Sequence, residues 1–152
     1  MEPSRACYAF SSVRSPAAKQ AIIFYDGCCV ICHGLVKFVL RHDRTGDAFR
    51  FAPLRGATFN ARVPPDQRLG LADSVVVLTW DNRVLTRSEG ILYILRQLEG
   101  SWKSLAAALA MIPLPVREAV YDVIARVRYR VFGRTRNSCP TVPTDLLRRF
   151  DP

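Results

Sequence analysis

The apolar positions of the chain fall into short blocks whose period switches between strand and helix. A continuous apolar run begins at Ala21 and is stopped by the turn pair Asp26-Gly27, which predicts a buried strand. Beyond it Ile31, Leu35, Phe38 and Val39 recur with helical period, predicting a helix that ends near His42-Asp43. Ala48 to Ala52 reads as a second strand, and strand, helix, strand implies a parallel pair joined by a right-handed crossover. Arg55 to Leu71, punctuated by Gly and Pro, predicts a short irregular helix and loop. Ser74 to Trp80 is a β-branched run of the buried-strand kind, which Asp81-Asn82 turns into a strand over Arg83 to Thr86. Ser88 to Leu98 then predicts a helix with an apolar face of Ile91, Leu92, Ile94, Leu95 and Leu98.

The last third reads as helical. Trp102 to Met111 predicts a short helix, Pro113 and Pro115 break it, and Val116 to Phe132 predicts a longer one with Val120, Ile124, Val127 and Val131 on its apolar side. The expected organisation is therefore a tail over 1–20, a core over 21–100, and a basic helical extension over 101–152 packed on that core. No apolar stretch approaches the roughly 20 residues of a spanning helix, and Leu105 to Pro115 is short and ends in prolines. A soluble cytoplasmic protein is expected. Met1 to Gln20, serine-rich with Arg5, Arg14 and Lys19 against Glu2, weakly resembles a transit segment, so an organelle is the alternative to a plain disordered tail.

Length and composition change this picture little. At 152 residues, 49% hydrophobic and 23% charged, the chain suits one globular domain. The net charge of +9 and the arginines at 126, 128, 130, 134 and 136 raise nucleic acid as a partner, but no recognition module or stacking motif accompanies them. An arginine-rich helix can equally be a solvated face, or can face a thiolate and stabilise it.

The candidate chemistry lies where the first strand meets the first helix. Cys29 and Cys32 form C-x-x-C, with Cys29 at the helix N-terminus. Free N–H groups and the helix dipole favour thiolate there. The dipole supplies up to about 2 kcal/mol, enough to lower a thiol by roughly one pKa unit from about 8.5. Cys32, one turn on, faces the same side and can resolve a mixed disulfide on Cys29. This chemistry requires sulfur within reach of solvent. C-x-x-C is also half a zinc site, but no second pair follows, and Cys139 is the only distant thiol after it. With His33 the string matches haem c attachment, but it follows a strand, lacks a preceding secretory signal and leaves only Met111 as a plausible methionine ligand. Five cysteines is an odd number, which fits catalysis in a reducing compartment better than a disulfide framework, and Cys7 receives no role. His33 is either a proton-transfer aid or an exposed helix position. Asp26 either turns the chain or accepts a proton from Cys32.

The string Asp26, Gly27, Cys29, Cys32 after an apolar strand resembles the DCC family of thiol-disulfide oxidoreductases. FRFAPL (Phe49 to Leu54), Asp73-Ser74, RSEGILYIL (Arg87 to Leu95), YDVIARVRYRVFGR and Cys139-Pro140 agree with it in order, over roughly Ile22 to Phe150. Cys28 stands where the family is variable and makes a vicinal pair with Cys29, which makes Cys28 an accessory candidate beside the attacking Cys29. The resemblance implies an α/β, thioredoxin-like βαβ-ββα sheet with added C-terminal helices. It implies disulfide exchange by Cys29 and Cys32 with a thiol or disulfide substrate, protein or small molecule, and no cofactor beyond the redox-active disulfide. It also makes Cys139 a candidate third redox thiol. Thioredoxins carry a cis proline before the third strand, where this chain reads Ala72-Asp73-Ser74-Val75. Leu85 to Leu95 resembles glutathione transferase-like domains, which implies that Ser88, helped by Arg87, holds the carboxylate of glutathione or a similar thiol, unless Ser88 is an ordinary N-cap. The alternative from another class is a non-catalytic metal- or partner-binding module using Cys29, Cys32 and Cys139.

Overall fold

The computed structural model describes residues 19–68, 71, 74–133 and 143–151. Cys7, nearly all of the N-terminal tail, Ala72, Asp73, Arg134, Arg136 and Cys139-Pro140 lie outside the described residues. At the centre is β1 (Ala21–Tyr25), every residue of which is buried. It pairs in parallel with β2 (Phe49–Pro53) and antiparallel with β3 (Val76–Leu78), and β3 pairs antiparallel with β4 (Val84–Thr86), giving the order β2-β1-β3-β4.

A strand with a helix layer on each face must be apolar at every position, and the uninterrupted run AIIFY meets that demand. Successive side chains then serve opposite faces. Ala21, Ile23 and Tyr25 pack with Phe49, Phe51, Val77 and Ile94 and with α1 (Val30–His42), while Ile22 and Phe24 pack with Val76, Leu78, Phe59 and Val63. Phe59 belongs to α2 (Ala57–Arg62), which with a 3-10 turn at Pro65–Gln67 forms the irregular segment expected there. The mixed α/β sheet matches the thioredoxin-like expectation.

Two elements differ from the sequence reading by more than a single residue at an end. The third strand, expected over Ser74 to Trp80, keeps its ladder only over Val76–Leu78. Thr79 already belongs to the turn: its hydroxyl bonds Asp81 and the Arg83 carbonyl and accepts the Arg83 N–H at 2.9 Å, leaving Trp80 exposed. The last helix begins two residues before the expected start. After α3 (Arg87–Gln97) and α4 (Trp102–Ala110), α5 runs Leu114–Val131 with Pro113 as N-cap and Pro115 inside its first turn. Proline breaks a helix interior, but the first turn has no N–H bond to lose.

The C-terminal residues return to the edge of β2. A 3-10 segment, Thr144–Arg149, delivers Phe150 to a parallel bridge with Phe51, and the Asp151 N–H bonds the Phe51 carbonyl at 2.7 Å. Arg149 is buried there, paired with the buried Asp43 and donating to the Phe49 carbonyl at 3.0 Å, while Arg50 holds Asp151. Breaking a buried pair strands one charge away from water. Arg149→Met is expected to destabilise the protein by about 3–5 kcal/mol in urea denaturation, and the Asp43→Asn, Arg149→Met double variant by less than the sum of the two single changes.

Candidate functional site

The site is assembled by the turn that ends β1. Asp26 accepts the Cys28 N–H on its Oδ1 at 2.9 Å, and its carbonyl accepts the Cys29 N–H at 3.2 Å, so the chain reverses within three residues and releases Cys29 as the N-cap of α1. Of the two roles considered for Asp26, this geometry displays the turn-forming one. Cys29 has extended backbone angles, so its side chain lies at the N–H end of the helix, and Cys32 follows one turn later. Their side chains hydrogen-bond to each other.

That bond sets the acidities apart. The Cys32 thiol donates to Cys29 and holds it as a thiolate; with the backbone N–H groups of Cys32 and Ile31 and the charge of Arg128 also acting, the Cys29 pKa is lowered to about 6 despite burial. Cys32 is pushed strongly upward, first because its proton is shared with Cys29, then by burial and by the Cys29 charge. One sulfur is an anion near neutrality and its neighbour is a proton-bearing donor.

The condition set above for this chemistry, sulfur within reach of solvent, is not met by the folded structure. Cys29 is 1% exposed and Cys32 3%, and both belong to the core cluster with Tyr25, Val36, Val75 and Phe150. The helix start points them inward across the sheet rather than out of the turn, and the exposed thiol is the neighbouring Cys28. His33 is half-buried, edge-on to the Tyr25 ring at 6.2 Å, and burial lowers its pKa, so it is not the exposed helix position considered above. His42 bonds the Phe38 carbonyl at 2.8 Å and packs with Phe38 and Trp102, tying α1 to α4.

The other wall comes from α5, which sequence reasoning connected to the dithiol only through its arginines. Of those, Arg128 is buried and acts on both cysteines, whereas Arg126 and Arg130 are exposed. Three turns earlier Glu118 accepts a hydrogen bond from Ser88 and pairs with Arg87 at 3.0 Å; Asp122 also pairs with Arg87. Between them Tyr121 accepts the Val75 N–H at 3.0 Å and lies within the field of Cys32. Glu118, Tyr121 and Arg128 therefore form one polar stripe of α5, and their spacing opposite the apolar positions was the available signal for it.

Ser88 and Arg87 accordingly have partners different from those expected. Thr86, not Ser88, is the N-cap of α3, and the anion at this helix start is the chain's own Glu118. Arg87 adopts a left-handed backbone angle of +56°, a sparsely populated state for any residue with a Cβ, with its N–H on the Val75 carbonyl and its guanidinium on both acids. Cys139, the third candidate thiol, lies outside the described residues. Among the described residues no group of three His, Cys, Asp or Glu side chains could hold a metal ion. No helix among them is long and apolar enough to cross a membrane.

A family model described as DCC1-like thiol-disulfide oxidoreductase matches residues 23–134. An uncharacterized protein of Bacillus subtilis (strain 168), YuxK, is 32% identical over 135 residues, covering 86% of this chain and 93% of its own. A DCC family protein of Arabidopsis thaliana, named as chloroplastic, is 36% identical over 121 residues, covering 80% of this chain and 69% of its own. No solved structure matches. The matched span runs from inside the central strand, through both cysteines, to the end of the helix that supplies Arg128, and the chain belongs to the DCC1-like thiol-disulfide oxidoreductase family.

Proposed function

We propose that the protein exchanges disulfides through Cys29 and Cys32, with a protein or small-molecule thiol or disulfide as substrate and no cofactor beyond its own redox-active pair. The observation that carries this is the placement of two hydrogen-bonded sulfurs at the head of α1, Cys29 as its N-cap and Cys32 one turn on, which lowers Cys29 to about 6 and raises Cys32. The Cys29 thiolate attacks one sulfur of a substrate disulfide; that bond breaks and the departing sulfur takes up a proton. Cys29 is then no longer an anion, so the two largest Cys29-borne causes of the high Cys32 pKa disappear. Cys32 releases its proton and attacks the Cys29 sulfur, freeing the substrate's second thiol and leaving a Cys29–Cys32 disulfide. Two electrons pass to the substrate, and the reverse sequence oxidises a dithiol.

Burial adds a step. Cys29 reacts only after local opening, so its reaction is slower than its thiolate fraction alone predicts. Arg128 is a positioning residue for the charge. By stabilising the thiolate it stabilises the reduced form and makes the disulfide a stronger oxidant. The name of the plant relative and the basic, serine-rich stretch Met1 to Gln20 support an organellar address as the alternative to the cytoplasm.

The direct test is trapping. Cys32→Ser should accumulate a mixed disulfide at Cys29 when given glutathione disulfide, and Cys29→Ser should not; a trapped adduct only on Cys28 would overturn the assignment. In alkylation against pH, Cys28 should react first, and Cys29 more slowly with a midpoint near 6. Arg128→Gln should raise that midpoint and lower the reduction potential. A Cys29 that resists alkylation at every pH would end the proposal.

The same acidity has a stability consequence. The unfolded thiol keeps its proton up to about 9, while the folded one releases it at about 6, so the unfolded state binds the extra proton between those values. The reduced protein should therefore gain stability as pH rises from 6 towards 9 and lose that contribution below 6. Comparing urea midpoints of wild type and Cys29→Ser over this range isolates the effect, because the serine variant lacks that rise.

A further inference from the structure

Because α5 turns its polar stripe towards the core, its apolar side faces out. Val116, Val120, Val123, Ile124, Val127 and Val131 are between 37% and 68% exposed. At 100° per residue they occupy an arc of about 100°, and at 1.5 Å per residue they run for about 22 Å. Met111, in the turn leading into α5, is also apolar and 85% exposed. Scattered apolar residues on a surface are ordinary; a continuous ridge of this length is not.

The charges beside the ridge select its occupant. Arg126 and Arg130, both exposed, follow one border of the arc, and the half-buried Arg117 lies at the other. From Trp102 to Gly133 the acids are Glu118 and Asp122 alone, and both are paired with Arg87 on the opposite side of the helix. The ridge is thus apolar with a rim of one sign, on a chain of net charge +9. A second copy of the chain would bring like-charged rims together, and a two-fold interface has to be complementary to itself. The central ridge is aliphatic and lacks the aromatic anchors that concentrate affinity in protein interfaces. An anionic lipid surface meets both features: aliphatic side chains sink below the headgroups while arginine stems extend along them to the phosphates.

We infer that α5 docks the protein on anionic membrane surfaces, its ridge from Val116 to Val131 lying in the interface and Arg126 and Arg130 contacting lipid phosphates. The helix lies on the bilayer rather than across it. Docking leaves the other side of α5, with Arg128 and Tyr121, against the dithiol.

The test is co-sedimentation of the full chain with phosphatidylcholine vesicles made with and without phosphatidylglycerol. Binding is expected to the anionic vesicles and to fall with salt. Val123→Glu with Val127→Glu should abolish it, and Arg126→Gln with Arg130→Gln should weaken it roughly twenty- to thirty-fold, at about a fivefold loss per arginine. All four side chains are exposed, so circular dichroism and Cys29 alkylation should match wild type in both variants. Three results would overturn the inference: no association with anionic vesicles, equal association with neutral ones, or a dimer in sedimentation equilibrium that the glutamate variant dissociates while vesicles are ignored.

Discussion

Two sulfurs buried at the head of a helix, one of them lowered in pKa, depend on the polar groups that surround them. The thiol of Cys32, the backbone N–H groups opening α1 and the guanidinium of Arg128 converge on Cys29 from different parts of the chain. The first two come with the local turn and helix. Arg128 comes from α5, almost a hundred residues later, and is buried where its charge acts on both cysteines. Burying a cation and an anion separately would cost far more than burying them together.

Polar contacts also accompany the orientation of α5. A helix on a globular core ordinarily directs its apolar stripe inward. Here the inward stripe is Glu118, Tyr121 and Arg128, each matched to a polar group on the core: Ser88 and Arg87, the Val75 N–H, and the cysteine pair. These contacts make α5 part of the site. They also occupy the start of α3, so an incoming anion there would have to displace Glu118.

The far edge of the sheet is closed by other means. Arg149 and Asp43 pair in a buried position, and Phe150 stacks on Phe51 with centroids 5.1 Å apart. Phe150 also meets Tyr25 edge-on, and Tyr25 touches His33 in the first turn of α1. The end of the chain thus supports the strand that delivers the dithiol.

The β1 run, the Asp26-Gly27 turn, Cys29 at the head of a helix with Cys32 one turn on, and the succession of elements were all legible in the amino-acid order. Each depends on neighbours within a few residues: a turn pair, a period of 3.6, a continuous apolar block. The limits of β3 and the start of α5 shifted for equally local reasons, a threonine hydroxyl that begins a turn early and a proline tolerated in a first turn. Burial of the dithiol, the choice of Arg128 among the arginines of α5 and the capture of Ser88 and Arg87 by Glu118 and Asp122 were not legible. Those are contacts between segments about 30 to 100 residues apart in sequence. Spacing along the chain determines which side of a helix a residue occupies; only the packing of that helix on the sheet decides whether the side meets a thiolate, a serine or solvent.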